Sequence, residues 1–175
     1  MNQHQIFIRQ NGIFGLFIGI SFILASYIFH LSDLPIYANP QLNNALLLLS
    51  IFGAFIGVRK YREEHLNGIL SYSRALGSCI YMLSIASILY GIYIYILYSS
   101  IPELQENYLQ TTLNMLDELY RDIPQLELEK IKSFMKILIT PGFITVSEVF
   151  TKIVSSVFFS LLLAFLLRRK MVTHP

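Results

Sequence analysis

Tryptophan is absent from the 175 residues, cysteine occurs once, and charged side chains make up only 14% of the chain. The lone Cys79 excludes an intrachain disulfide and a cysteine zinc site. The four histidines, His4, His30, His65 and His174, are scattered, without the pairing that a metal site needs. A net charge of +2 is too small to argue for a nucleic-acid partner. Soluble domains carry about a quarter charged residues, so the shortage of charge points away from water. What fills the chain instead is apolar: hydrophobic residues reach 54% and the mean hydropathy is +0.56. They fall in long runs, which a soluble core has no need of, so the composition is that of an integral membrane protein. The length suits one ordinary domain and is too short for several.

Crossing the hydrocarbon core takes about 20 apolar residues at about 1.5 Å each. Four stretches qualify, at about 12–31, 40–58, 75–99 and 143–167. The first follows Arg9 as a signal peptide would, but it is longer than an ordinary signal core and no small-x-small cleavage site follows. It is expected to remain as a helix. Before the second, Asn39 can cap and Pro40 suits the first helical position; "RKYREE" from Arg59 is expected to end it sharply. The fourth opens after Thr140-Pro141-Gly142 and stops at Arg168, Arg169 and Lys170. The expected fold class is all-α: a single polytopic membrane domain, residues 1–175, with four transmembrane helices.

Lysine and arginine set the orientation. Arg9 precedes span one, Arg59, Lys60, Arg62 and Arg74 lie between spans two and three, and Arg168, Arg169 and Lys170 follow span four. All belong to one side of a four-span chain. The 32–39 loop has no Lys or Arg, and the 100–140 segment has an acidic excess. The expectation is a multi-pass protein of the bacterial inner (cytoplasmic) membrane with both termini cytoplasmic and 100–140 outside. That outer insertion reads as two helices. Pro102-Glu103 starts one, with Leu109, Leu113, Leu116, Tyr120 and Ile123 at helical spacing. Pro124 opens the other, with Leu128, Ile131, Phe134, Met135 and Leu138 as its stripe. The result is an extracytoplasmic helical hairpin that closes over the bundle or lies on the outer surface. The alternative is a docking surface for a protein partner.

Between the spans, small residues mark close approach, because lipid tails are as apolar as leucine. Gly15-x-x-x-Gly19 in span one and Gly53-x-x-x-Gly57 in span two are expected to serve each other within the bundle; a homo-oligomer through one of them is the alternative. Tyr90, Tyr93, Tyr95 and Tyr98 form an interfacial tyrosine belt at the outer end of span three.

The inner loop reads GVRKYREEHLNGILSYSRALG. Arg59, Lys60 and Arg62 determine topology and can contact anionic headgroups, at about 1 kcal/mol each. Asn67-Gly68 supplies a turn. With four spans, an outer segment after span three and an acidic residue near the start of span four, this loop resembles a family of small bacterial membrane proteins catalogued only as a domain of unknown function. The resemblance supports the fold and brings no activity, substrate or cofactor.

Glu148 and Lys152 stand inside span four, in opposite charge and four residues apart. A charge at the bilayer centre costs at least about 2.5–3.5 kcal/mol and marks a functional site by default. Counting about 20 residues back from Arg168 reaches Glu148, so the pair falls near the outer interface. Lys152 can snorkel outward, and Glu before Lys is the favourable order. A paired, structural couple is the leading expectation. The alternative follows from a polar stripe of Thr145, Glu148, Thr151, Lys152, Ser155 and Ser156: a small transporter or ligand-binding protein using Glu148, Lys152 and Ser155. Enzyme motifs do not assemble. Ser133-Phe134-Met135-Lys136 matches Ser-x-x-Lys without its companion motifs, so no catalytic, cofactor or metal residue is assigned. The chain is expected to be a non-enzymatic accessory or structural membrane component, with lipids as partners and no cofactor.

Overall fold

The structure is a computed structural model that describes residues 2–32, 34–37, 39–120 and 125–168. Its elements are α1 (Gln3–Leu31), α2 (Pro40–His65), α3 (Tyr72–Ser100), α4 (Pro102–Leu119), α5 (Gln125–Leu138) and α6 (Pro141–Leu167), and no strand occurs among the described residues. The all-α class is therefore correct. Pro124, expected to open α5, lies outside the described residues, as do Ile123, Arg169 and Lys170.

Helices α1, α2, α3 and α6 are each long and apolar enough to cross a membrane. At 26 to 29 residues they rise about 40 Å, the thickness of a bilayer with its headgroup zones. They outrun the apolar runs that announce them. Asn39 caps α2 as expected, its side-chain oxygen accepting from the Gln41 and Leu42 amides. The Arg59 end does not stop it, however: α2 continues two turns to His65. Those turns are made of good helix formers joined by Arg59–Glu63 (3.0 Å) and Lys60–Glu64 (3.7 Å) one turn apart. The stop comes at Asn67 and Gly68, whose φ values of 49° and 80° lie in the left-handed region. There the Leu66 and Gly68 amides both donate to the Arg62 carbonyl.

The chain separates into two compact units, Met1–Tyr90 with Val149–Pro175, and Gly91–Glu148. In the first, contacts between α1 and α3 step along both helices in the same direction. Asn11 meets Ser78, Gly15 meets Met82 and Ile85, and Gly19 meets Ala86 and Leu89, so the two helices run parallel. Contacts between α2 and α1 step in opposite directions, with Gly53 against Ile18, Gly57 against Phe14 and Tyr61 against Phe7. The glycine motifs pack within the bundle, as expected, but not against each other. Each receives larger side chains: α3 fills the α1 glycines, while Ile18, Phe14 and Met82 fill those of α2. α6 contributes a buried stripe of small residues, Ser156, Ser160 and Ala164. The opposite surfaces expose Phe17, Phe52, Phe158 and Leu162, which suits helices whose outer solvent is lipid.

In the second unit, α4 and α5 pack against each other. Lys132 pairs with Asp117 at 2.6 Å, and the Gln105 amide nitrogen donates to the Ile139 carbonyl at 3.0 Å. Early α4 thus meets the end of α5, and late α4 meets its middle, as in an antiparallel pair. Tyr98 and Tyr108 pack edge to face at 6.2 Å.

Candidate functional site

Lys152 lies fifteen residues before the end of α6, about 22 Å along the axis by helix rise. Its ammonium stands 5.1 Å from the centre of the Tyr90 ring on α3. Tyr90 is buried, its ring perpendicular to that of Phe22 at 5.9 Å between ring centres, and its hydroxyl shares a 2.9 Å hydrogen bond with the Ser26 hydroxyl. Three helices therefore meet at one polar point: α6 brings the charge, α3 the aromatic face, and α1 the serine behind it. A cation over an aromatic face gains about 2 kcal/mol or more when water is excluded. The same ring that receives the charge has its polar end satisfied, so this arrangement holds a lysine in an apolar bundle at low cost.

The hydroxyls of the expected stripe point different ways. Ser155 is exposed, along an open apolar groove of about 530 Å³ with Val154, Phe158 and Leu162. Thr151 is also exposed, while Ser156 is buried and donates to the Ile153 carbonyl at 2.7 Å. Glu148 is half-buried within the second unit. There burial, and then the Glu148 carboxylate, push the Tyr108 phenol above its ordinary pKa, which keeps that hydroxyl neutral.

Of the topology residues, Arg62 differs most from expectation. Instead of reaching for headgroups it is buried, and its Nη1 donates to the Leu167 carbonyl at 3.2 Å while Nη2 donates to Glu63 at 3.2 Å. A cation thereby completes the C-terminal end of α6, where carbonyls lack helical partners. Its Nε has no hydrogen-bond partner among the described residues. Arg59 and Lys60 are exposed, and Arg168 lies over the Phe165 ring at 4.3 Å; Arg169 and Lys170 fall outside the described residues.

Sequence reading missed Ser26, Asn11 and Ser78. Asn11 and Ser78 are fully buried and joined at 3.3 Å between α1 and α3. Their separations of 64 and 67 positions from their partners leave no local pattern to find. The Ser156, Ser160, Ala164 stripe did have a signal, small residues every four positions. Among the described residues, no cluster of three His, Cys, Asp or Glu could hold a metal ion.

A protein-family model described as protein of unknown function (DUF4199) matches residues 12–169, close to the whole chain, in keeping with the resemblance drawn from the inner loop. No curated protein and no solved structure matches it.

Proposed function

We propose that this chain, which belongs to that family of unknown function (DUF4199), is a non-enzymatic accessory or structural component of the bacterial inner membrane. In this reading both termini are cytoplasmic, residues 100–140 lie outside, and lipids are its constant partners. The placement of lysine and arginine supports the orientation. The observation that carries the role is how the polar groups of the bundle are used. Asn11 binds Ser78, Ser26 binds Tyr90, Lys152 covers Tyr90, and Arg62 binds the end of α6. Each of these ties joins two helices. A conducting path needs such groups turned toward water; here they are spent on holding helices together.

The test is thiol accessibility. Cys79→Ser removes the native thiol, and Glu148→Cys and Lys152→Cys are then labelled separately with a membrane-impermeant reagent. Labelling from outside at 148 that fades by 152, with no access from the cytoplasmic side, is the expected result. Labelling of both positions from both sides would reveal a hydrated path. It would make a small transporter or ligand-binding protein built on Glu148 and Lys152 the better reading.

A further inference from the structure

The α4–α5 pair has two unlike sides. Asp117 and Lys132 join the helices on one of them. Two residues along a helix turn the side chain to nearly the opposite face, about 160° away. Met115 and Leu119 stand two positions before and after Asp117, and Phe134 stands two after Lys132. Ile137, five after Lys132, also points away from it, by about 140°. The side opposite the ion pair thus carries Met115, Leu119, Phe134 and Ile137, and these are 44%, 76%, 62% and 79% exposed. Glu127 and Lys130 share the face on α5, one charge of each sign, so it has no net charge.

What covers this face follows from how the pair is attached. α4 begins at Pro102, two residues after α3 ends at Ser100, and α6 begins at Pro141, three after α5 ends at Leu138. The Gln105–Ile139 hydrogen bond closes the base. Both ends therefore continue into membrane-crossing helices, and Ile137 is at most about 14 Å of chain from Pro141. An apolar face held at that distance from a bilayer has a solvent ready for it. We infer that the α4–α5 pair lies on the bilayer leaflet where α3 ends and α6 begins. Met115, Leu119, Phe134 and Ile137 sit in the boundary between headgroups and acyl chains, and the Asp117–Lys132 side faces water. The neutral face makes the attachment apolar, so it operates on zwitterionic lipid.

The inference rests on the helices crossing a bilayer and not on the accessory role; the accessibility of position 152 is unaffected by its failure. Its test uses the full chain in phosphatidylcholine nanodiscs with lipids that carry a nitroxide quencher near the headgroup. A fluorescent label is attached at Leu119→Cys, Phe134→Cys or Ile137→Cys, and at Glu129→Cys on the far side of α5. Buried Cys79 remains, and the otherwise unaltered chain measures its background. Quenching about three-fold stronger at 119, 134 and 137 than at 129 is expected. Equal quenching at all four overturns the inference. So does a label shielded from water yet unquenched by lipid, which would mean that a protein partner or a second copy covers the face. A label can itself seek lipid, so Phe134→Glu with Ile137→Glu is added to the chain labelled at 119. Quenching there should fall toward the value at 129, and unchanged quenching also overturns the inference.

Discussion

The α1–α3 contact and the α4–α5 contact join helices by opposite means. Between α1 and α3 the closest approach is over small residues, with the Phe22 and Tyr90 rings meeting beyond it: Gly15 and Gly19 let α3 come close enough that a methyl on Gly15 would sit 2.7 Å from the Met82 carbonyl oxygen. Behind that approach stand the buried ties of Asn11 to Ser78 and Ser26 to Tyr90. Between α4 and α5 the ties are a partly exposed ion pair and the Gln105–Ile139 hydrogen bond, beside half-buried leucine and isoleucine side chains, and four large apolar residues are left uncovered. In the membrane reading proposed above, the difference follows from the solvent. Helices in lipid gain nothing from hiding apolar surface, so shape and a few polar bonds must hold them. Helices beside water gain about 25 cal/mol for each Å² of apolar surface hidden, and can tolerate looser fits.

The largest way to break that comparison is to remove the close approach. Gly15→Ala places its methyl against backbone, which cannot swing aside as a side chain can. It should cost about 1–3 kcal/mol, the range for overpacking. Gly77→Ala, on α3 with nothing within 4 Å of the added carbon, should cost nothing and can gain from better helix propensity. Unfolding both variants with a denaturing detergent in mixed micelles measures the gap. Equal midpoints would mean that the glycine contact does not hold the bundle.

Next in size is Arg62. Hydrogen bonds to a charged group contribute about 1.5–3 kcal/mol, and Arg62 donates one to the Leu167 carbonyl of the neighbouring helix. Arg62→Met should lower stability by about that amount. Arg62→Lys should recover only part of it, because lysine lacks the planar fork that reaches Leu167 and Glu63 together. A residue needed only for orientation would be replaced by lysine without loss. The same unfolding measurement therefore separates a helix-end partner from a topology signal.

Much of this was legible because the relevant signals are local. Runs of apolar residues gave the four crossing helices, Asn39-Pro40 gave the start of α2, and Asn67-Gly68 gave its turn. An end of hydropathy at Val58 did not give the end of the helix, because arginine and glutamate continue a helix readily and α2 runs on to His65. The candidate site was half legible. Lys152 stood out as a charge in an apolar run, and its contact with the Tyr90 ring did not. The aromatic face beneath it comes from α3 and the serine behind that from α1. Ser155 and Ser156 are adjacent in sequence but about 100° apart around the helix, which sends one outward and buries the other. Arg62 carries the same charge as Arg59 and Lys60, and only the neighbouring end of α6 distinguishes its role.

The smallest effect belongs to the other region. The Asp117 side chain is about half exposed and Lys132 is 20% exposed, so water reaches the pair mainly through the carboxylate, and such partly exposed couples contribute about 0–1 kcal/mol. A double-mutant cycle with Asp117→Asn and Lys132→Met isolates it. The coupling should lie within that range and shrink further as salt shortens the screening length from about 10 Å at 0.1 M to about 3 Å at 1 M. The loss at Gly15 is steric and should not respond to salt. A coupling that exceeded the loss at Gly15, or that survived 1 M salt, would mean that α4 and α5 are held by a desolvated ion pair. The contrast between a shape-held bundle and a loosely joined surface pair would then fail on the side where the least was expected of it.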